Sequence, residues 1–407
     1  MALLVQKYGG TSVADSSRIV SVAKRIAAAT ESGDRVVAVV SAMGDTTDRL
    51  IGLAKEVASE PSPRELDFLL STGEIVSCTL LAMALRELGA RAISLSGAQA
   101  GIQTDASHSR ARIEQVETRR VLGELDKGNI VIVAGFQGTT TDMETTTLGR
   151  GGSDTTAVAL AAALQAQRCE IYTDVSGVFT ADPRVVPHAR KLIDLSFEEM
   201  LELASYGAGV LHPRAVELGA FYGIPILVAS SFSREQGTLI HGGEPMESRN
   251  RLSGIAHDLD TAKITVMGIP DRPGIAASLF EPLARAGISV DTIVQNASEE
   301  NITDLTFTVS RHDLAASQEI VRPVAEKLGG RGIVANAELG KVSIVGNGMQ
   351  DAPGYAARMF TALYRAGINI QMITTSEIRI TCIVDRADIT RAVQVLYDAF
   401  YVEGAEL

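Results

Sequence analysis

The chain has no tryptophan, only three cysteines, and fewer basic than acidic side chains, and each shortage excludes something. A formal net charge of -12 at pH 7 argues against non-specific binding to nucleic acid or to an anionic membrane, since both require a surplus of Lys and Arg. Cys78, Cys169 and Cys382 are scattered through apolar runs and share no motif. They offer neither metal-ligand spacing nor a disulfide framework, and they suit buried thiols in a reducing cytosol. Apolar runs such as 75–85 are too short to span a bilayer. The N-terminus lacks a signal-peptide layout, because Lys7 follows only four apolar residues, so a cytoplasmic protein is expected. Walker A and G-x-G-x-x-G patterns are both missing, which removes the two common nucleotide signatures. No nucleophile has an adjacent base; His188, His212 and the other histidines are dispersed and read as structural.

What is present points to an α/β enzyme that handles anions. A length of 407 residues allows two or three domains with ample cores. Ala2–Tyr8 reads as a buried strand followed by a Gly9-Gly10-Thr11-Ser12 turn and a helix to about Ala29. Strands at 35–41, 91–95, 129–135 and 169–173 alternate with helical patterns, the signature of βαβ units and a mainly parallel open sheet sandwiched by helices. Residues 64–88 look helical with an interruption near Ser71-Thr72-Gly73-Glu74. Ligands of such sheets sit beyond the carboxyl ends of the strands, where Lys7, Ser41, Gly135 and Asp174 fall.

Within Leu148–Ala157, three glycines surround Arg150, and Ser153 or Asp154 is positioned to cap the alanine-rich run 155–166. A helix N-terminus with an adjacent guanidinium suits a phosphate or a carboxylate; the alternative is a glycine turn with no ligand. Lys7 before Gly9-Gly10 reads either as a phosphate contact or as a surface lysine at a strand end. Asp174 and Asp182 bracket a turn that could hold a nucleotide or be a plain Asx-capped turn.

Residues 246–262 read as a linker after the polar Gly242-Gly243-Glu244-Pro245, and an internal repeat follows. Asp271-Arg-Pro-Gly-Ile-Ala-Ala-Ser-Leu-Phe matches Asp351-Ala-Pro-Gly-Tyr-Ala-Ala-Arg-Met-Phe at a constant offset. Each copy reads as a ferredoxin-like βαββαβ module, with Pro273 or Pro353 in the first helical turn and Gly287 or Gly367 ending the helix. The second copy runs out of chain before its last strand, so Ser253–His257 is expected to complete it.

Lys7–Val13, Val40–Gly44, Ser71–Glu74, Leu148–Thr156 and the run Tyr172–Arg184, in this order and spacing, resemble the aspartate kinases of the amino-acid kinase family. The repeat resembles that family's paired ACT modules. The resemblance implies a catalytic domain over 1–245 and ACT modules over 263–340 and 341–407. It also implies transfer of the ATP γ-phosphoryl to the side-chain carboxylate of L-aspartate. Lys7 with Gly9 and Gly10 would neutralise the transferred phosphoryl. Arg150, Gly151 and Ser153 would hold the α-carboxylate, Glu74 the ammonium, and Thr47 and Ser41 would add hydroxyl contacts. Asp154 would orient either Lys7 or the substrate amine. Thr173, Asp174, Phe179, Asp182 and Arg184 would line the ATP side, with Mg²⁺ carried by the phosphates. Lysine, threonine or both would act as effectors at Asp271, Gly274, Ile275, Ala276, Gln295 and Asn296 of the first copy and Asn369, Ile370 and Glu377 of the second, between ACT modules of neighbouring chains in a homo-oligomer. Met246 after the linker offers an internal start for a separate regulatory subunit. Where the family usually has lysine, this chain has Gly209, one cation fewer on the nucleotide side. A kinase for glutamate or acetylglutamate, or a sensor without turnover, are the rival readings.

Overall fold

A computed structural model describes residues 2–243, 252–296, 301–349 and 353–402. Met246, most of the expected linker before Leu252, and Asp351 of the repeat lie outside these residues. The chain divides into two compact units, 1–179 with 190–246, and 180–189 with 247–407. The segment Thr180–Ala189, expected within the catalytic domain, therefore packs with the second unit.

The first unit is built on an eight-stranded sheet in the order 194–196, 238–241, 226–230, 168–173, 3–8, 35–40, 130–134, 92–95. All of its pairings are parallel except that between Ile226–Ser230 and Thr238–His241. Arg35–Val40 and Ile130–Ala134 are almost wholly apolar, as strands covered on both faces tend to be, whereas Leu3–Tyr8 and Arg168–Thr173 also carry Gln6, Lys7 and Glu170. The alternation of side chains assigns the faces. Tyr8, Val36, Ala38 and Val40 share a core with Ile19, Val22 and Ile26 of the helix Ser16–Glu31 and with Cys78, Leu81 and Leu85 of the helix Pro63–Glu87. Lys7 points to the opposite face, where the helix Gly152–Ala163 lies. A four-stranded sheet, in the order 113–116, 102–104, 137–139, 145–147, was not anticipated. Its strands have three or four residues, too short for a periodic signal.

Two local expectations are corrected. Pro63–Glu87 is one unbroken 25-residue helix. Gly73 does not break it; a Cβ there would come within 2.9 Å of Ala42 Cβ, so the glycine permits close approach. This helix is apolar enough to cross a bilayer by length and composition, with a mean hydropathy of 1.8 over its best window, contrary to the expectation from shorter runs. Half of that window is buried inside the protein, however, as in a core helix. The second correction concerns Ser153 and Asp154, neither of which caps the helix Gly152–Ala163. Its N-cap is Gly151, at φ +69°, a left-handed conformation that glycine tolerates.

The second unit carries a six-stranded antiparallel sheet in the order 293–295, 302–309, 254–270, 332–345, 379–385, 370–375. Gly254–Pro270 and Gly332–Val345 each run through both repeats, so the expected boundary at 340/341 falls inside a strand, and the expected linker is strand from Gly254 onward. Gly254–Asp258 pairs with Lys341–Val345, and Ile255 packs with Val342, Met359 and Leu396, which completes the second copy as expected. The first copy has its own core around Ile264, Leu279, Phe307 and Val321. Pro273 stands one residue before the N-cap Gly274 (φ +93°) and not in the first turn.

Candidate active site

The carboxyl ends of Leu3–Tyr8, Arg35–Val40, Ile130–Ala134 and Arg168–Thr173 define one rim of the first sheet. Lys7 reaches across to the helix Gly152–Ala163, where its Nζ lies 2.7 Å from Asp154 Oδ1. Both side chains are nearly buried, so this ion pair is well screened from water. Gly10 must be glycine, because a Cβ there would stand 2.9 Å from the Ala42 carbonyl oxygen. The Gly9 amide donates to Tyr172 O at 3.1 Å, so it is engaged in holding the turn and is not available to a phosphoryl group as expected. Behind the turn, Glu170 accepts from Gln6, Tyr172 and Arg168, while Tyr8 and Tyr172 stack at 5.0 Å between centroids. Ser231 ties the two glycine-side loops together, accepting from Ser12 Oγ at 2.8 Å and donating its own amide to Thr173 O at 2.8 Å.

Opposite Lys7, the long helix turns Glu74 inward. One carboxylate oxygen accepts from the Ala42 amide at 3.1 Å; the other is buried without a hydrogen-bond partner. Burial raises its pKa from 4.5 to about 7, the backbone hydrogen bonds opposing only in part. An orphaned, buried carboxylate oxygen is the complement of an ammonium group. Thr47 lies half-buried in the first turn of the helix Thr46–Val57, and the carbonyl of Ser41 accepts from Ser77 Oγ.

Arg150 is exposed between Gly149 and Gly151, both left-handed, and Ser153 stands against Gly135 at a neighbouring strand end. The supports of this loop were missed in the sequence. Asp67 is fully buried and accepts from the Ser109 and Thr147 amides, from Thr147 Oγ1 at 2.6 Å, and lies 3.0 Å from His108 Nδ1. Arg214 donates to the carbonyls of Leu148 and Ala111. His212 lies directly against Gly151, leaving no room for a side chain there; desolvation lowers its pKa, with Asp154 opposing. Asp67 had a signal, since it precedes Glu74 by seven residues and so shares its helix face. Arg214 and His212 had none, because their partners lie about 60 to 100 residues away in sequence.

Past the end of the strand Arg168–Thr173, Thr173 Oγ1 donates to Asp174 at 3.1 Å, and Phe179 forms a bridge with Lys191. Asp182 and Arg184 pack with the second unit, where the guanidinium fork holds Asp182 and lowers its pKa. They are not among the residues gathered around Lys7 within the first unit.

Sequence comparison gives the family of the chain. The Amino acid kinase family profile matches residues 2–230, and ACT domain profiles match 263–326 and 342–400. The chain is 49% identical to the aspartokinase of Pseudomonas aeruginosa, over 99% of this chain and 98% of that one. It is 50% identical to the aspartokinase of Mycolicibacterium smegmatis, over 99% and 97% respectively. The chain belongs to the aspartokinases. Among solved structures, E. coli aspartokinase III in complex with aspartate and ADP superposes with a TM-score of 0.84 at 28% identity, covering 98% of this chain and all of that one. The same E. coli enzyme with lysine and aspartate gives a TM-score of 0.74.

In the second unit, the expected effector positions fall at opposite edges of the sheet. Gln295 Nε2 donates to Asp271 Oδ1 at 3.1 Å, which joins the outer strand 293–295 to the start of the helix Ile275–Arg285 and so gathers Asp271, Gly274, Ile275, Ala276 and Gln295. Asn296 follows that strand. Asn369, Ile370 and Glu377 flank or belong to the other outer strand, Ile370–Thr375. Four strands separate the two groups, on the order of 20 Å, too far for one amino-acid ligand to touch both within one chain.

Proposed function

We propose that Lys7, Asp154 and Glu74 form the reaction centre of an aspartate kinase, with ATP donating its γ-phosphoryl to the side-chain carboxylate of L-aspartate. The observation that carries this reading is the pairing of a nearly buried Lys7–Asp154 ion pair with the orphaned Glu74 oxygen at one sheet rim. A carboxylate acceptor is ionised at neutral pH and needs no general base; it needs alignment and relief of repulsion between two anions. Lys7 supplies that relief, and the 2.7 Å contact supports Asp154 as the group that orients Lys7, not the substrate amine. Glu74 takes the substrate ammonium, Arg150 and Ser153 beside Gly151 take its α-carboxylate, and Thr47 and Ser41 lie nearby. Thr173, Asp174 and Phe179 line the nucleotide side, with Asp182 and Arg184 farther along the same loop.

The residues at this rim suit a Mg²⁺ ion borne by the phosphates, since Asp154 is already engaged by Lys7. When bound, the ion neutralises charge on the β- and γ-phosphates. Incubation with Mg-ATP and aspartate, glutamate or acetylglutamate, trapping acyl phosphate with hydroxylamine, tests the reading; trapping with aspartate alone is expected, and no trapping with any acceptor supports a sensor. Arg150→Ala should raise the KM for aspartate roughly 10- to 100-fold, the loss expected for a charge-assisted hydrogen-bonded pair, and leave that for ATP nearly unchanged. A selective rise in the ATP value would make the loop a phosphate site. Gly209→Lys should lower the KM for ATP. Gly209 is exposed, and a Cβ there would meet only Gly207 O, at 3.8 Å, but its φ of +57° means lysine carries a backbone cost of about 1–2 kcal/mol. An unchanged KM would remove position 209 from the nucleotide site.

Lysine, threonine or both bind between ACT modules of two chains in this reading, which the opposite-edge location of the two residue groups supports. Two outer strands with one unpaired edge each are suited to pairing with a second copy. A second, shorter product starting at Met246 would add a regulatory subunit; a single full-length band in the native source would count against it. Three buried, unpaired cysteines favour a cytoplasmic setting.

A further inference from the structure

The inner face of the helix Pro63–Glu87 carries two buried carboxylates, Asp67 and Glu74, of which the proposed reaction uses one. Seven residues make two helical turns, so the pair stands about 10 Å apart on one rigid element. Ser71 lies between them on the same face, and its carbonyl accepts from Gln137 Nε2 at 2.8 Å. Each group bonded to Asp67 is able to donate. Its Oδ1 accepts from Thr147 Oγ1 at 2.6 Å and from the Ser109 amide at 3.1 Å. Its Oδ2 accepts from the Ser109 amide at 2.9 Å and the Thr147 amide at 3.1 Å, with His108 Nδ1 at 3.0 Å. A side chain that only filled space would be apolar here, because burying a carboxylate has a cost that its hydrogen bonds must offset.

These bonds converge on the loop that carries Arg150. Thr147 ends the strand Thr145–Thr147, three residues before Arg150. Ser109 is a non-glycine residue at φ +66°, a strained conformation that persists only where the surroundings fix it. Its carbonyl faces Gly149, where an added Cβ would stand 2.9 Å from that oxygen. The Ala111 amide donates to Thr147 O at 2.9 Å, and Arg214 bridges the Ala111 and Leu148 carbonyls. Segments 108–111 and 147–149 are thus knitted together, and Asp67 ties them to the long helix. Arg150 itself is exposed, so its aim depends on the backbone beneath it.

We propose that Asp67 is a positioning residue for the acceptor amino acid, registering the Arg150 loop to the helix that bears Glu74. This rests on the reading above, in which Glu74 takes the substrate ammonium and Arg150 its α-carboxylate. Those two groups share one carbon of the substrate, so their receivers must keep a fixed separation. Setting both from one helix keeps it, since helix length is fixed by its own hydrogen bonds. Asp67 touches no substrate; it acts through Arg150. The α-carboxylate is unchanged during phosphoryl transfer, so an error in its site weakens ground and transition states alike and appears in KM, not kcat.

Steady-state kinetics on the full-length protein test the proposal. Asp67→Leu removes every acceptor at similar volume and is expected to raise the KM for aspartate up to about 100-fold, the scale of a roughly 1 Å misplacement. Asp67→Asn is the milder variant, kept in case the first fails to fold. Its oxygen can replace Oδ2 and retain both amides, while its NH₂ stands at Oδ1, where the Thr147 hydroxyl can turn to accept. Its KM for aspartate should rise about fivefold, the worth of one weakened hydrogen bond, with kcat and the KM for ATP unchanged. In an Arg150→Ala background, Asp67→Asn should add nothing further to the KM for aspartate, because both changes then remove the same interaction. A lower melting temperature with an unchanged KM, or an equal rise with and without Arg150, would make Asp67 purely structural and overturn the proposal. An Arg150→Ala enzyme with a normal KM for aspartate would overturn the α-carboxylate reading itself, and the proposal with it.

Discussion

Replacing Lys7 by methionine is expected to lower kcat by roughly 10²- to 10³-fold, the scale on which a single preorganised charge stabiliser is usually lost. The nearly buried ammonium stands at the carboxyl end of its strand, where the proposed function has the acceptor carboxylate and the phosphoryl group meet. The loss should appear in kcat more than in the KM for aspartate, since charge on the phosphoryl oxygens develops during transfer. The same substitution leaves Asp154 as an uncompensated charge in a mostly water-free setting, which destabilises by roughly 3 kcal/mol. The double variant Lys7→Met/Asp154→Asn separates the two effects. Its melting temperature should recover most of the loss while kcat stays low. Recovery of both, or a full-strength kcat in Lys7→Met, would show that the pair is structural and the phosphoryl group is stabilised elsewhere.

Glu74→Gln should abolish a pH dependence that the wild type displays. In the free protein, burial holds the Glu74 pKa near 7, so the carboxylate that would receive the substrate ammonium is only partly ionised at neutrality. The wild-type KM for aspartate should fall as pH rises from 6 to 8. In Glu74→Gln it should be flat, and about 30-fold higher at pH 8, the scale of one charge-assisted hydrogen bond. Stability moves the other way. A folded pKa of about 7 lies above the ordinary 4.5, so this group's contribution is full below pH 4.5 and is lost as pH rises through 7. Glu74→Gln should therefore raise the melting temperature of the ligand-free protein at pH 8 and change it little at pH 5. A wild-type KM that is level across this range would place the ammonium elsewhere.

Much of this molecule was legible from pattern alone, and the failures share one cause. The alternation of apolar strands and helices gave the parallel sheet, because burial on both faces leaves long apolar runs with sharp ends. Ser253–His257 was assigned to the second repeat by the missing strand there, and it pairs where the repeat needs it. Gly73 suggests a break because glycine's local meaning is a turn, but its role depends on Ala42, thirty-one residues away. Gly9 before a helix suggests a phosphate contact, but its amide is committed to Tyr172 on another strand. The role of Arg214 has no local signal, because it acts on the Leu148 and Ala111 carbonyls that only the fold brings near, and the structural reading of His212 gains its partner, Gly151, in the same way.

The sequence by itself determined the class of the fold, the repeat, and the residue types gathered for an anionic reaction without a base, since composition, periodicity and motif order are local quantities. Three matters were decided only by tertiary structure. Lys7 and Asp154, 147 positions apart, are brought to 2.7 Å by the packing of a helix on a sheet face, which favours one role for Asp154 over another. One Glu74 oxygen is left without a partner, and burial then moves its pKa, a shift that no sequence window contains. The long helix buries one apolar face and leaves the other open, although in sequence both faces belong to a single hydrophobic segment. In each case the deciding quantity is a distance or an access to water, and both are set by chain segments far apart in the sequence.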